Sequence, residues 1–308
     1  MTVVVTGAAG FVGQRVVRHL VRDGGTVVAV DRRRSSAAHG VCVLTADLLD
    51  ADDVVTGALR GADAVIHLAG CPGVRDDRAH IDLCRARDNV DATARVLAAV
   101  PPHVPLVVAS SSSVYGGCRD LRPSVETDAL HPLGGYARSK VAVEELCAER
   151  VAAGAAVTVA RPFTVAGEGQ RPDMALSRWI AATRAGLPVH VFGSTERRRD
   201  VTDVRQVAAA LVALARLGAP GPVNIGTGVG HSLAELLDAV ERTLGSRPRV
   251  EMLPAKREEV AATLADTSRL RSLIGWAPRT DLHALVRRQA GVAIHAESSS
   301  RGREAVSA

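Results

Sequence analysis

Tyr136 and Lys140 stand four residues apart in the stretch Tyr136-Ala-Arg-Ser-Lys140 and could carry acid–base chemistry. The chain has only two tyrosines and two lysines, and its other 36 cationic side chains are arginines. Lysine is a compact point charge that lowers the pKa of a neighbouring phenol, whereas arginine is a planar fork. A lysine kept near a tyrosine in so arginine-rich a chain indicates a chemical role. A surface helix that carries both by chance is the alternative, because the match is short.

A glycine-rich stretch, Thr6-Gly7-Ala-Ala-Gly10-Phe-Val-Gly13, follows the first predicted strand and opens a helical pattern. Such glycines let the backbone turn tightly and approach a pyrophosphate, which then rests on the helix N-terminus. Asp31 ends the second predicted strand, where a carboxylate would accept hydrogen bonds from the adenosine ribose and repel a 2′-phosphate. This pattern predicts NAD rather than NADP. The arginines that follow, Arg32 among them, leave NADP open, because one of them could hold the phosphate.

Further cofactor contacts are expected where other strands end. Asp47 and Leu48 follow the third predicted strand, where a carboxylate could meet the adenine amino group; an acid at the start of a helix is an equal alternative. Small residues follow His67 at the end of the fourth strand, as expected where the backbone passes a cofactor, and His67 itself is interpreted as a packed strand residue. The predicted cofactor-binding set is Gly7, Gly10, Phe11, Val12, Gly13, Asp31, Arg32, Asp47, Leu48, Leu68, Ala69, Gly70, Tyr136 and Lys140.

Composition narrows the function classes. Aromatic residues make up 2% of the 308 residues, so the core must consist of aliphatic side chains, which suits a parallel sheet covered by helices. The net charge of +5 favours an acidic ligand, but the arginine runs lack interleaved aromatics, which argues against nucleic acid and membrane partners. Five cysteines without a Cys-x-x-Cys pair predict neither a disulfide framework nor a metal site. The first strand, at Thr2, leaves no room for a signal peptide, so we expect a cytoplasmic protein.

Apolar runs and helical stretches alternate through the first half of the chain. This rhythm predicts an α/β fold with a doubly wound parallel sheet, the Rossmann architecture, and a smaller C-terminal α/β substrate lobe. We expect residues 1–167, together with about 200–228, to form the dinucleotide-binding domain. Residues 168–199 and 229–295 are expected to form the substrate lobe, and 296–308 a disordered tail.

Two further motifs complete a recognisable pattern: Ser110-Ser-Ser-Ser-Val-Tyr-Gly116 and Asn224-Ile-Gly-Thr-Gly228. With the glycine loop and Tyr136-x3-Lys140, they resemble the extended short-chain dehydrogenase/reductases, the NAD-dependent epimerase/dehydratase family. The resemblance implies that Tyr136 is the catalytic acid/base and that Lys140 holds the nicotinamide ribose and depresses the tyrosine pKa. It also implies that Ser111 orients the reacting hydroxyl.

The segment from Arg161 to Ala175 is similar to UDP-glucuronate 4-epimerases of that family. Family members that dehydrate or decarboxylate sugars keep a glutamate near the catalytic serine, whereas this chain has Ser112 and Ser113. The resemblance therefore implies C4 oxidation by NAD, rotation of a 4-keto sugar and re-reduction, with Ser112, Ser113 and Thr164 holding the substrate carboxylate through neutral donors. Arg171 would grip the nucleotide sugar. A UDP-glucose 4-epimerase, whose hydroxymethyl group the same hydroxyls would bind, is the alternative.

Other positions depart from the branch, for example Ala166, Glu168 and Gln206. Arg199 and Lys256 are interpreted as diphosphate contacts, and exposed salt bridges are an equal alternative. Two rivals stay open: a 4-ketoreductase of a nucleotide-activated deoxysugar that consumes NADPH, and a non-enzymatic NAD-sensing module. The resemblance also implies a homodimer formed through the helices near residues 88–100 and 136–153.

Overall fold

The computed structural model describes residues 1–34, 39–50, 53–73, 78–256 and 259–292. The strands are β1 (Thr2–Thr6), β2 (Thr26–Asp31), β3 (Val41–Thr45), β4 (Ala64–His67), β5 (Leu106–Ala109), β6 (Val157–Pro162), β7 (Thr164–Ala166), β8 (Val189–Phe192), β9 (Arg198–Asp203), β10 (Gly221–Ile225), β11 (Gly230–Ser232), β12 (Val250–Leu253) and β13 (Ala262–Thr263). The helices are α1 (Phe11–Arg22), α2 (Asp53–Arg60), α3 (Ile81–Arg85), α4 (Ala92–Ala99), α5 (Gly134–Ala152), α6 (Ala175–Arg184), α7 (Val204–Leu217), α8 (Leu233–Leu244), α9 (Ser268–Ile274) and α10 (Leu282–Gln289).

Seven parallel strands form the central sheet in the order β10-β6-β5-β4-β1-β2-β3. Successive side chains of a strand point to opposite faces, so an apolar strand such as β1 serves two cores. Val3 and Val5 pack with α1 and α7 on one face, and Val4 packs with α2, α4 and α5 on the other. This arrangement confirms the predicted doubly wound fold.

A second group of elements packs beside this sheet. Strand β9 pairs with β7, β11 and β13, and β8 pairs with β12. Their apolar side chains share a core with α6, α8 and α10 that includes Trp179, Val201 and Leu285. The division of the chain into two units at the boundaries given above stays a prediction, and residues 296–308 lie outside the described residues.

Several elements differ from the sequence pattern. The predicted helix near residues 88–100 is part of a longer helical run in which the π-helical segment Ala86–Asp91 joins α3 to α4. Strand β9 carries charged residues at four of its six positions, which hides it from a search for apolar runs. No helix of the described residues is long and apolar enough to cross a membrane.

Candidate active site

A cavity of about 1160 Å³ lies along the carboxyl ends of the parallel strands, the edge where doubly wound sheets bind ligands. The second group of elements supplies its opposite wall through residues such as Phe192 and Thr263. Almost every predicted site residue lines this one cavity: Gly7, Gly10, Phe11, Val12, Gly13, Asp31, Arg32, Asp47, Leu48, Leu68, Ala69, Gly70, Ser111, Ser112, Ser113, Tyr136, Lys140, Thr164, Arg171 and Arg199. Lys256 is the predicted residue that does not.

The glycine-rich turn fits a dinucleotide. A Cβ on Gly13 would lie 2.1 Å from the carbonyl oxygen of Gly7, and one on Gly7 would lie 2.6 Å from the backbone nitrogen of Ala69. Gly7 also has a φ of +69°, which side-chain-bearing residues rarely adopt. The turn delivers the chain directly into α1, whose first backbone N–H groups point to the cavity end that an anion would occupy.

Asp31 and its neighbours shape the ribose end of the cavity. The Asp31 carboxylate accepts hydrogen bonds from the backbone N–H of Ala9 at 3.0 Å and of Arg33 at 2.9 Å. Arg32 pairs with Asp88 at 2.8 Å and lies 3.6 Å from Asp47. Because Arg32 already interacts with two carboxylates, this arginine is not available to bind a 2′-phosphate. The geometry therefore favours NAD over NADP.

Asp47 belongs to a cluster of alternating charges with Arg87, Asp88 and Arg32. Arg87 contacts Asp47 at 2.8 Å and Asp88 at 2.7 Å, and Asp88 in turn contacts Arg32. Burial opposes ionisation of Asp47, but the backbone N–H of Leu49 and the Arg87 guanidinium hold the pKa of this carboxyl below its ordinary value. The sequence does not reveal Arg87 and Asp88 as neighbours of Asp47, because they lie far from it along the chain.

Ser111, Tyr136 and Lys140 are brought together as predicted. All three residues line the cavity, the Ser111 hydroxyl is close enough to the Tyr136 phenol to lower its pKa, and the Lys140 Nζ donates to the carbonyl oxygen of Ala109 at 2.8 Å. Burial lowers the pKa of Lys140 to about 8, although the negative charge of Glu144 opposes that change.

The expected depression of the Tyr136 pKa is not seen in the chain by itself. Burial raises the pKa of Tyr136, and the hydrogen bond from Ser111 and the charge of Arg171 only partly offset this effect. The Lys140 Nζ donates a hydrogen bond to the carbonyl oxygen of Ala109. The phenol is therefore protonated at neutral pH until another positive charge approaches.

Asn89 holds the cavity floor together and was missed from the sequence. Its side chain accepts from the backbone N–H of Cys71 at 2.7 Å and donates to the Ser139 hydroxyl at 2.8 Å on α5. A Cβ on Gly70 would lie 2.6 Å from the Asn89 Oδ1 and 3.8 Å from the Lys140 Nζ, so glycine is needed there. Asn89 lies in the π-helical segment, which a helix-periodic pattern does not reveal.

A buried polar network supports the serine loop from behind. Glu144, one turn after Lys140, accepts from the Ser110 hydroxyl at 2.5 Å and from Arg161 at 2.9 and 2.5 Å. Arg161 also donates to the Tyr115 hydroxyl at 2.8 Å, and Tyr115 donates to Asn224 at 2.7 Å. Burial raises the pKa of Tyr115 to about 12, so this phenol stays protonated.

The predicted substrate side is rich in neutral hydroxyls. Ser112 and Ser113 begin a 3₁₀ turn that Ser111 caps by accepting the Ser113 N–H at 3.1 Å. The Ser113 Oγ is buried and has no hydrogen-bond partner within the described part of the chain. Thr164, on β7, lines the same cavity. Ser112, Ser113 and Thr164 therefore contribute residues with neutral hydroxyls to the cavity lining.

The three predicted cationic contacts differ in position. The Arg171 guanidinium pairs with Asp173 at 2.9 and 2.7 Å, and its charge is felt at Tyr136. Arg199 donates to the carbonyl oxygen of Arg198 at 2.8 Å and lies at the cavity wall. Lys256 is exposed and its Nζ lies 5.6 Å from the centre of the Phe192 ring, outside the cavity lining. Lys256 is therefore a poorer candidate for a diphosphate contact than Arg199.

Comparison with known proteins agrees with this geometry. A model of the NAD dependent epimerase/dehydratase family matches residues 3–226. An uncharacterized UDP-glucose epimerase, YtcB, of Bacillus subtilis (strain 168) is 30% identical over 305 residues, covering 92% of this chain and 94% of the relative. A UDP-glucuronate 4-epimerase of Thermodesulfobacterium geofontis (strain OPF15) is 27% identical over 308 residues, covering 92% and 93%.

Solved structures show the same likeness. MoeE5 in complex with UDP-glucuronic acid and NAD is 37% identical, with a TM-score of 0.86 over 94% of this chain and 98% of that one. MoeE5 has also been solved with UDP-glucose and NAD. UDP-glucuronic acid 4-epimerase from Bacillus cereus, in complex with UDP-glucuronic acid and NAD, is 26% identical, with a TM-score of 0.87 over 94% and 98%. These matches confirm the predicted fold class and confirm NAD as the cofactor.

Proposed function

The chain belongs to the NAD-dependent epimerase/dehydratase family, and from that premise we propose that it interconverts UDP-glucuronate and UDP-galacturonate. It is an NAD-dependent enzyme of the UDP-sugar epimerase type. The observation that supports the choice of substrate is that Ser112, Ser113 and Thr164, three residues with neutral hydroxyls, line the same cavity as Ser111 and Tyr136.

The catalytic residues act on the hydroxyl at C4 of the sugar. NAD, when bound, supplies the reversible two-electron acceptor for that carbon. Tyr136 takes the O4 proton and later returns it, while Ser111, which lies beside the phenol, orients the reacting hydroxyl. Lys140, with a pKa of about 8, is mostly cationic at neutral pH and stabilises the phenolate.

Neutral donors suit a uronate substrate for a chemical reason. Oxidation at C4 makes the C6 carboxylate part of a β-keto acid, which loses CO2 when the carboxylate stands perpendicular to the carbonyl plane. The hydroxyls of Ser112, Ser113 and Thr164 are able to fix the carboxylate without protonating the sugar ring or its substituents. Arg171, whose charge is felt at Tyr136, is positioned to grip the anionic nucleotide sugar.

UDP-glucose is the second candidate substrate. The same hydroxyls would hydrogen-bond a hydroxymethyl group, and MoeE5 has been solved with either sugar nucleotide. Both candidates use the same residues at C4, so they differ only in what Ser112, Ser113 and Thr164 hold.

The test is conversion of UDP-glucuronate to UDP-galacturonate, followed by NMR with purified protein and no added NAD. We expect conversion, and we expect Tyr136→Phe to lower kcat by about 10²- to 10⁴-fold, the usual contribution of general acid–base catalysis. Ser113→Ala should lower kcat/KM for UDP-glucuronate more than for UDP-glucose, and should raise the release of a decarboxylated sugar nucleotide. Turnover of UDP-glucose alone would assign the hexose, and stoichiometric consumption of NADPH would indicate a ketoreductase.

A further inference from the structure

Glu168, one of the departures from the family pattern noted above, lies in residues 167–171, the first part of the connection between β7 and α6. Three helices reach this glutamate with arginines. From α1, the Arg15 Nη2 donates to the Glu168 carbonyl oxygen at 2.9 Å and lies 3.8 Å from its carboxylate. From α7, Arg205 pairs with the carboxylate, and from α10, the Arg288 Nε lies 3.7 Å from it. One carboxylate thus joins helices that are far apart in the chain.

Hydrogen bonds fix the segment on both sides of Glu168. The Gln289 side chain of α10 accepts from the Gly167 backbone N–H at 2.9 Å and donates to the Gln170 side chain at 2.7 Å. Arg288 is itself held by Asp203, the residue that caps α7. The position of the segment therefore depends on α10 and α7 as well as on α1.

The segment lies against the glycine-rich turn. A Cβ on Gly169 would be 3.9 Å from the ring of Phe11, the first residue of α1, and both residues line the same cavity. Arg171, at the end of the segment, affects the pKa of Tyr136. The segment therefore spans from the pyrophosphate end of the cavity towards the catalytic tyrosine.

We propose that Glu168 is a positioning residue that holds residues 167–171 as a clamp over the bound dinucleotide, so that NAD is retained from one turnover to the next. This inference rests on the proposed function, because an epimerase regenerates its cofactor in every cycle and gains from keeping it. Without the Glu168 charge, Arg15, Arg205 and Arg288 would face one another, and their repulsion would favour opening of the segment.

The test measures the rate at which NAD leaves the holoenzyme in the absence of any sugar. Purified protein, loaded with NAD where needed, is diluted into alcohol dehydrogenase and ethanol, which reduce released NAD and report it by absorbance. We expect Glu168→Gln to release NAD about tenfold faster than the unaltered chain, the change that about 1.4 kcal/mol of lost interaction gives. Added NAD should restore turnover to this variant, and Glu168→Asp should recover part of the retention.

Two further variants make the result decisive. Arg205→Gln removes the same pairing from the α7 side and should also speed NAD release, so the outcome does not depend on one variant folding well. Glu241→Gln, a carboxylate of α8 outside the cavity lining, is the matched control and should leave the rate unchanged. Equal NAD release from the unaltered chain, Glu168→Gln, Arg205→Gln and Glu241→Gln would overturn the clamp. Because no sugar is present, that result is distinct from a failure to epimerise UDP-glucuronate, which would overturn the proposed substrate instead.

Discussion

Two of the glutamates that pair with arginines lie at different depths: Glu144 is on the helix that carries Tyr136 and Lys140, and Glu168 is at the rim of the cavity. The side chains of Glu144 and Arg161 are only 9% and 4% exposed, and they meet through two hydrogen bonds. The Glu168 side chain is 23% exposed, and Arg205, one of its partners, is 52% exposed. Depth therefore decides how much an ion pair contributes to stability, because water can replace a lost partner only at the rim.

The buried pair should matter most for stability. Removing one partner leaves the other charge in a site that water does not reach, which typically costs about 3–5 kcal/mol. We expect Glu144→Gln and Arg161→Met each to lower the free energy of unfolding by about that amount, measured by urea unfolding. Ser110 would face a neutral amide in place of the carboxylate in the first variant, and Tyr115 would lose a donor in the second.

A double variant separates a stranded charge from a lost contact. Glu144→Gln combined with Arg161→Met removes both charges of the pair, so its loss of unfolding free energy should be smaller than the sum of the two single losses. Strict additivity would show that the two side chains do not act as a pair.

The sequence predicted the parts of the site that local chain geometry determines. The glycines share one turn, and the serine, tyrosine and lysine lie on elements that the sequence pattern identifies, so their relative positions depend little on distant parts of the chain. The structure brings Ser111, Tyr136 and Lys140 together. Asn89 was missed because its function depends on a π-helical segment. The partners of Glu168 at positions 15, 205 and 288 were missed because only the tertiary fold brings them together. Burial, which is a property of the whole fold, raises the pKa of Tyr136 in the chain without NAD, and the depression expected beside the bound cofactor stays a prediction.

The buried region also holds Lys140, whose titration is directly measurable. The chain has only two lysines, so ¹³Cε-labelled lysine gives two side-chain signals, and Lys256→Arg removes one of them. We expect the remaining signal to titrate near pH 8, because burial lowers the pKa of Lys140 to about 8. Glu144→Gln should lower that midpoint further, since the Glu144 charge opposes the effect of burial. A midpoint at the ordinary value of 10.5 would contradict the buried position of the amine.

The same shift has a consequence for stability. The folded chain releases the Lys140 proton near pH 8, whereas the unfolded chain holds it up to the ordinary pKa of 10.5. Between these values the unfolded state binds more protons, so the contribution of Lys140 to the free energy of unfolding rises with pH. Urea unfolding of Lys140→Met, compared with the unaltered chain across this window, isolates the contribution.

The rim glutamate should show the smallest effect on stability. Burial opposes ionisation of Glu168. However, a hydrogen bond from its own backbone N–H and the charges of Arg205, Arg15 and Arg288 hold its pKa below the ordinary value. The carboxylate is thus charged at neutral pH, and its stabilisation is lost only as pH falls through that lowered pKa. We expect Glu168→Gln to lower the free energy of unfolding by less than about 1 kcal/mol, and less again in roughly 1 M salt, which screens exposed pairs. A loss as large as that of Glu144→Gln would show that depth does not separate the two regions, because Glu168 would then be supporting the fold rather than closing the cavity.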